Sequence, residues 1–221
     1  MKKSILVFFL MIMTSGVFAQ QLEPGAFRKF SLQFDLFTDI WQKAPAELNA
    51  SAFNRGINIY GLMNNRIGES RFDFSYGGSI GIHNLYGDAL PEDQNGKTVF
   101  VTIDTALSYS KAKIVLTYFD FPLEIRYRSK GAFRAYAGIK LGFLLQAHSK
   151  YTGDDPDGRG YEVTIKRDDI RYLNLWRYVV YARAGYKWIN VFGSMNLNPV
   201  FKDGQGPDMY PISVGISITP F

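Results

Sequence analysis

Charged residues recur on one parity of segments that are otherwise apolar, and few folds tolerate that pattern. In "GAFRAYAGIKLGFLLQAHSKY", residues 131–151, Phe133, Ala135, Ala137, Ile139, Leu141, Phe143 and Leu145 share one face of a strand, and Arg134, Tyr136, Gly138, Lys140 and Gly142 share the other. The same alternation sets Phe30, Leu32, Phe34 and Leu36 against Lys29, Ser31, Gln33 and Asp35. It also sets Phe72, Phe74, Tyr76, Ile80 and Ile82 against Arg71, Asp73, Ser75, Gly77, Ser79, Gly81 and His83. A period of two with one apolar and one polar side marks a strand between two different environments. Lipid on one side and a polar interior on the other would satisfy both faces.

Eight such segments run along the chain, near 28–40, 53–64, 71–86, 112–129, 132–150, 173–188, 189–201 and 209–221. Tight links at "NRIGES", "SKGA" and around "KWIN" alternate with longer ones at "WQKAPAELNA", 87–111, "TGDDPDGRGYEVTIKRDDIRY" and "KDGQGP". Sorting of loops by parity predicts an all-β fold: an eight-stranded antiparallel transmembrane β-barrel of up-and-down topology, with both termini on the short-turn, periplasmic side. Alternation alone does not say which face is inside, and a soluble lipocalin-like cup would turn its apolar residues inward. Strands of about ten residues or more, and aromatics at strand ends (Trp41, Tyr60, Tyr86, Tyr127, Trp188, Tyr210), favour the membrane form with interfacial girdles. The 87–111 segment is open between a plain loop and a strand extension: "KTVFVTIDTALSYS" alternates weakly, and an added sheet edge there could recruit a partner strand.

The first residues, "MKKSILVFFLMIMTSGVFAQ", combine Lys2 and Lys3, an apolar run from Ile5 to Met13 and small-residue spacing at Val17 and Ala19. That is the pattern of a secretory signal peptide cleaved after Ala19, so the expected division is 1–19 signal peptide and 20–221 barrel. The chain has no cysteine, which excludes a disulfide staple and a lipid anchor on cysteine. Removing Lys2 and Lys3 lowers the formal charge from +5 to +3. The remaining basic residues are dispersed, so nucleic acid is not an expected partner. The expected location is the cell outer membrane, with outer-membrane lipid, the barrel-assembly machinery and envelope proteins as partners.

An eight-stranded barrel has an interior just wide enough for side chains to fill. Parity points Asp35, Asp73, Asp120 and Glu124 inward with Arg71, Arg126, Arg128, Arg134, Lys140, Arg183 and Lys187. A buried charge must be paired or hydrated. Asp35, Asp73, Asp120, Glu124, Arg126, Arg134, Lys140 and Arg183 are therefore the candidate lumen charge network. A salt-bridged plug is the first reading, and a narrow anion-preferring path is the second, because inward cations outnumber inward acids. Glycines of the same face would fit beside the bulky cations.

Catalytic, metal and cofactor sites are not expected. The two histidines, His83 and His148, do not form a metal-ligand spacing, and His83 reads as a solvated residue at an external strand end. His148 with Asp154, Asp155 and Asp157 is the only candidate for a hydrolytic rim, yet "GDDPDGRG" is a turn-rich solvated loop. The same aspartates do not satisfy the calcium-loop ladder, and "YGGSIG" opens no helix that could cradle phosphate.

The run "SYSKAKIVLTYFDFPLEIRYRSKGAFRAYAGIKLGFLLQAHSKY", followed by "LNLWRYVVYARAGYKWINVFGSMNLNPVFKDGQGPDMYPISVGISITPF", resembles the PorT-like outer-membrane β-barrel proteins. Tyr118, Pro122 and Leu123 in "YFDFPLEIRY", the Gly138 to Gly142 spacing, "HSKY", "NPVF" and "GPDMYPISVGI" carry the resemblance, which covers 108–221. It implies an eight-stranded barrel in a Gram-negative outer membrane, in a family whose members mostly have no assigned activity, with protein secretion as the context known for PorT itself; a structural or interaction role, as an accessory part of a secretion assembly, is the first functional reading. A small-solute channel is the alternative, and a rim hydrolase the third. One departure is the C-terminus: Phe221 shares parity with Thr219, Ser217 and Gly215, not with Ile212, Val214, Ile216 and Ile218, so turning it outward as an assembly signal would rely on an irregularity at Pro220.

Overall fold

The computed structural model describes residues 29–158 and 160–219; the expected signal peptide, its cleavage point after Ala19, and Phe221 lie outside them. Eleven strands run β1 Phe30–Gln42, β2 Arg55–Arg66, β3 Phe72–Tyr86, β4 Ala89–Gln94, β5 Lys97–Thr102, β6 Tyr109–Arg128, β7 Phe133–Asp154, β8 Glu162–Arg167, β9 Trp176–Tyr186, β10 Ile189–Asn196 and β11 Tyr210–Ile218. The order β6-β3-β2-β1-β11-β10-β9-β7 closes through the β6–β7 pairing, giving a barrel of eight antiparallel strands. Short turns at 67–71, 129–132 and 187–188 lie at the end where the described chain begins and finishes, and the long connections lie at the other.

Burial settles which face is inside. Leu32, Leu36, Ile59, Ile80, Leu123, Ile139, Val191 and Ile216 are exposed, whereas Ser31, Gln33, Asp35, Asn58, Ser79, Asp120 and Asn190 are at most 3% exposed. A soluble cup would show the inverse, so the exposed apolar band is the surface that meets lipid. Trp176, Tyr178, Tyr186, Trp188, Phe72 and Phe133 project from this band as interfacial aromatics. Two residues expected among them point inward instead: Tyr60 is in the lumen and Trp41 is buried beneath the external loops.

The barrel is taller on one side. β6 has 20 residues and β7 has 22, about twice the 9–11 needed to cross the hydrocarbon. Near mid-strand the β6–β7 register shifts from Thr117↔Gln146 to Tyr118↔Leu144, leaving Leu145 as a bulged extra residue. A bulge inverts the facing of everything beyond it. Below it Tyr136, Lys140 and Leu144 are buried; above it Ser149, Tyr151 and Gly153 are. The upper part of β7 pairs with β8, whereas its lower part, Phe133 to Phe143, pairs with β9.

The undecided 87–111 segment contains a separate hairpin, β4–β5, and then the start of β6. Its turn residues Asn95 and Gly96 both have positive φ, 54° and 78°, the geometry that suits an Asn-Gly turn to the twist of a two-residue hairpin. The hairpin folds over the barrel mouth: the Thr98 amide donates to Gln205 O at 2.9 Å, and Thr102 Oγ1 donates to Glu47 O at 3.0 Å.

Candidate functional site: a paired-charge lumen under an apolar cap

Inward side chains of β1, β2, β3, β6, β7 and β9 meet in one polar column. Arg183 lies at its middle. Nε and Nη2 donate to Asp35 at 3.3 and 3.0 Å, and Nη1 donates to Glu124 Oε2 at 3.0 Å. With its amide turned so that the oxygen faces the guanidinium, Gln33 accepts from the same arginine at 2.7 to 3.1 Å. The plane of Arg183 stacks on Tyr60 and Tyr181, 4.8 and 4.6 Å from their centroids, an arrangement that a point-like ammonium could not reproduce. The Tyr60 hydroxyl donates to Asp35 at 2.7 Å and accepts from Lys140 Nζ at 3.1 Å; Tyr181 donates to Glu124 at 2.9 Å. Glu124 is also paired with Arg126, whose Nη1 donates to Ser31.

Above this layer Arg177 holds Asp120 bidentately, at 2.9 and 2.8 Å, and stacks 3.9 Å from the centroid of Tyr118. Its Nη1 lies 2.8 Å from His83 Nε2, and His83 Nδ1 lies 2.9 Å from Asp39 Oδ2. Arginine only donates, so Nε2 is the acceptor and the proton of His83 sits on Nδ1, directed at Asp39. Ser213 Oγ donates to the other Asp39 oxygen at 2.6 Å. The Ser–Asp–His order differs from that of a nucleophilic triad, because the serine contacts the carboxylate and not the imidazole. Glycines make room for these groups: a Cβ at Gly142 would overlap Asp120 Oδ1 and stand 2.6 Å from Arg177 Cγ.

The structure brings together Asp35, Asp120, Glu124, Arg126, Lys140 and Arg183 of the sequence-derived set. It keeps Asp73 and Arg134 apart from them, half-buried near the short-turn end, where Asp73 meets Arg128 at 3.2 Å and Arg134 reaches Thr219 O at 3.5 Å. Arg71 and Lys187 are exposed in turns, beyond the strand ends where parity applies. Asp39, Arg177 and His83 belong to the column and were not assigned to it; the parity of β1, β3 and β9 contains them. His83 is 3% exposed, contrary to the solvated reading, because it lies inside the lumen between Asp39 and Arg177. With these changes the buried barrel carboxylates Asp35, Asp39, Asp120 and Glu124 are matched one for one by Arg126, Lys140, Arg177 and Arg183. The expected cationic excess is thus not in the lumen.

Over the column the inward face turns apolar. Trp41, Leu85, Ile114, Leu116 and Met209 from the strand ends pack with Leu48, Phe100, Leu173, Val200 and Phe201 from the external connections. The Asn174 amide donates to Val200 O and the Lys202 amide to Tyr172 O, both at 2.8 Å, which ties two of these connections into one roof. His148 lies outside the roof on the extended part of β7, with burial and then Lys166 holding its imidazole below the usual range. Asp154 is six residues farther along the same strand, roughly 20 Å away at the rise of an extended chain, so it does not pair with His148.

A closed barrel that is apolar outside and charged inside is an outer-membrane protein. The family model for the outer membrane protein beta-barrel domain matches residues 18–202, and the chain belongs to that family. The match takes in the first strands, which the PorT-like resemblance left to pattern alone. Among solved structures, Ail of Yersinia pestis bound to the heparin analogue sucrose octasulfate is 10% identical, covering 86% of this chain and 97% of its own, with a TM-score of 0.39. A mutant Rh. blastica porin is 9% identical over 86% and 99%, with a TM-score of 0.24. No curated protein matches the sequence.

Proposed function

We propose that this barrel is a non-conducting structural or interaction protein of the outer membrane, an accessory component of a protein-secretion assembly of the kind PorT serves. The observation that carries the reading is the matched set of buried charges beneath an apolar roof. Eight strands leave little lumen, and here that space is occupied by side chains that hold one another. The channel alternative loses its support with the disappearance of the cationic excess from the lumen. No reaction is assigned to the protein, since the charged groups of the column are spent on one another and the external His148 and Asp154 stand apart. Outer-membrane lipid holds the barrel, the barrel-assembly machinery inserts it, and envelope proteins dock on its external cap or periplasmic turns.

Isolation of the tagged protein from outer membranes in mild detergent, with mass spectrometry of what accompanies it, tests this role. Stoichiometric envelope partners are expected, and their recovery should fall when β4–β5 is replaced by a short linker if the cap is the contact. Recovery of the barrel alone would remove the subunit role.

A further inference from the structure

The charge excess missing from the lumen is found at the periplasmic mouth. Lys29, Arg66, Arg71 and Arg128 line one cavity of about 630 Å³, with Asp73 as the only carboxylate among the described residues that line it. That is a formal surplus of three positive charges around a single space. Like charges around one space repel, and an anion beyond Asp73 would offset the rest.

Two of the four cations are set in place by the fold. Arg66 Nε donates to Ser70 O at 3.0 Å and Nη2 to Glu69 O at 3.4 Å, which fixes its guanidinium to the 67–71 turn. Arg128 is held by Asp73 at 3.2 Å. Asn64 also lines the cavity, and its Oδ1 already accepts from Ser75 at 2.8 Å, so its free amide adds donors to the wall. Next to the arginines in sequence, Phe72 and Tyr127 form a ring pair 5.3 Å apart on the outer surface. Interfacial aromatics mark the level of the headgroups, so the cavity lies at the depth of the periplasmic phosphate layer.

We propose that this cavity binds a phosphoryl group. The Arg71 guanidinium and the Lys29 ammonium, with the remaining N–H groups of Arg66 and Arg128, offer more donors than the two oxygens of a carboxylate can use, whereas the nonbridging oxygens and charge of a phosphate match them. The group can come from an anionic phospholipid headgroup or from a small soluble phosphate, and the experiment separates these sources.

The full barrel in a neutral maltoside detergent is titrated with inorganic phosphate by calorimetry at constant ionic strength, and separately loaded with phosphatidylglycerol and examined by native mass spectrometry. Folding of each variant is checked by heat-modifiable gel mobility. Saturable phosphate binding is expected, weakened about tenfold by Arg71→Gln and by Arg128→Gln, the loss of one charge-assisted contact, and unchanged by Lys202→Gln at the external end. Retention of phosphatidylglycerol that these same variants abolish, without saturable inorganic phosphate binding, identifies the headgroup as the source. If neither probe binds, or if the arginine variants bind both as the wild type does, the proposal is wrong.

Discussion

Arg183 shows what a single residue does in this lumen. It is 2% exposed and contacts two carboxylates and two tyrosine faces. Replacing it with methionine nearly keeps volume but leaves Asp35 without its guanidinium and Glu124 with Arg126 alone, and breaking a buried pair from one side costs about 3–5 kcal/mol. Urea unfolding in micelles, followed by tryptophan fluorescence, should show that loss, and the double variant Asp35→Asn, Arg183→Met should recover much of it, because Glu124 keeps its pairing with Arg126. Gly142→Ala has a different cause. The new Cβ meets Asp120 and Arg177 well inside contact distance, and overpacking of this kind costs about 1–3 kcal/mol in the same unfolding measurement. Asp35, Asp120, Glu124, Arg126, Lys140 and Arg183 were legible from the sequence because the period of two fixes the face of every residue within a strand. Arg71 and Lys187 were misplaced because they lie past strand ends. Asp39 and Arg177 have the parity of Asp35 and Arg183, and carrying the alternation to the full length of β1 and β9 would have found them.

At the scale of the element, the bulge at Leu145 and the β4–β5 hairpin are what alternation could not supply. A bulge leaves no regular mark in a sequence whose parity merely changes, so the facing of Ser149 and Tyr151 follows only from the register. The hairpin had a signal: "DQNGKT" contains the Asn-Gly pair that favours a two-residue turn. The weak alternation around it reflects a two-stranded ribbon that packs on the roof instead of crossing lipid. Phe100, 5% exposed, anchors that ribbon edge-on to Phe201, with ring centroids 6.2 Å apart. Phe100→Ala should therefore loosen the cap without unfolding the barrel. Limited proteolysis should cleave within 89–102 faster than in the wild type, while the fragments that contain β6, β7 and β9 stay protected; equal cleavage rates would mean that the hairpin is held by its backbone contacts alone.

At the scale of the whole molecule, charge is sorted by height. Among the described residues the middle holds matched pairs, the periplasmic mouth carries a surplus of cations, and the external end is closed by apolar side chains. Fold class and strand count were readable from loop lengths and alternation because a membrane barrel imposes both at once. The cap was not, because loops of mixed composition have no period, and only their convergence on Trp41, Leu85 and Ile114 shows that they fill the mouth. The central claim is that this lumen is sealed by side chains held in pairs. Planar-bilayer recording of the purified barrel tests it most directly. We expect membranes containing the inserted protein to stay at baseline conductance across applied voltages, and discrete, reproducible single-channel steps from the folded wild type would contradict the account.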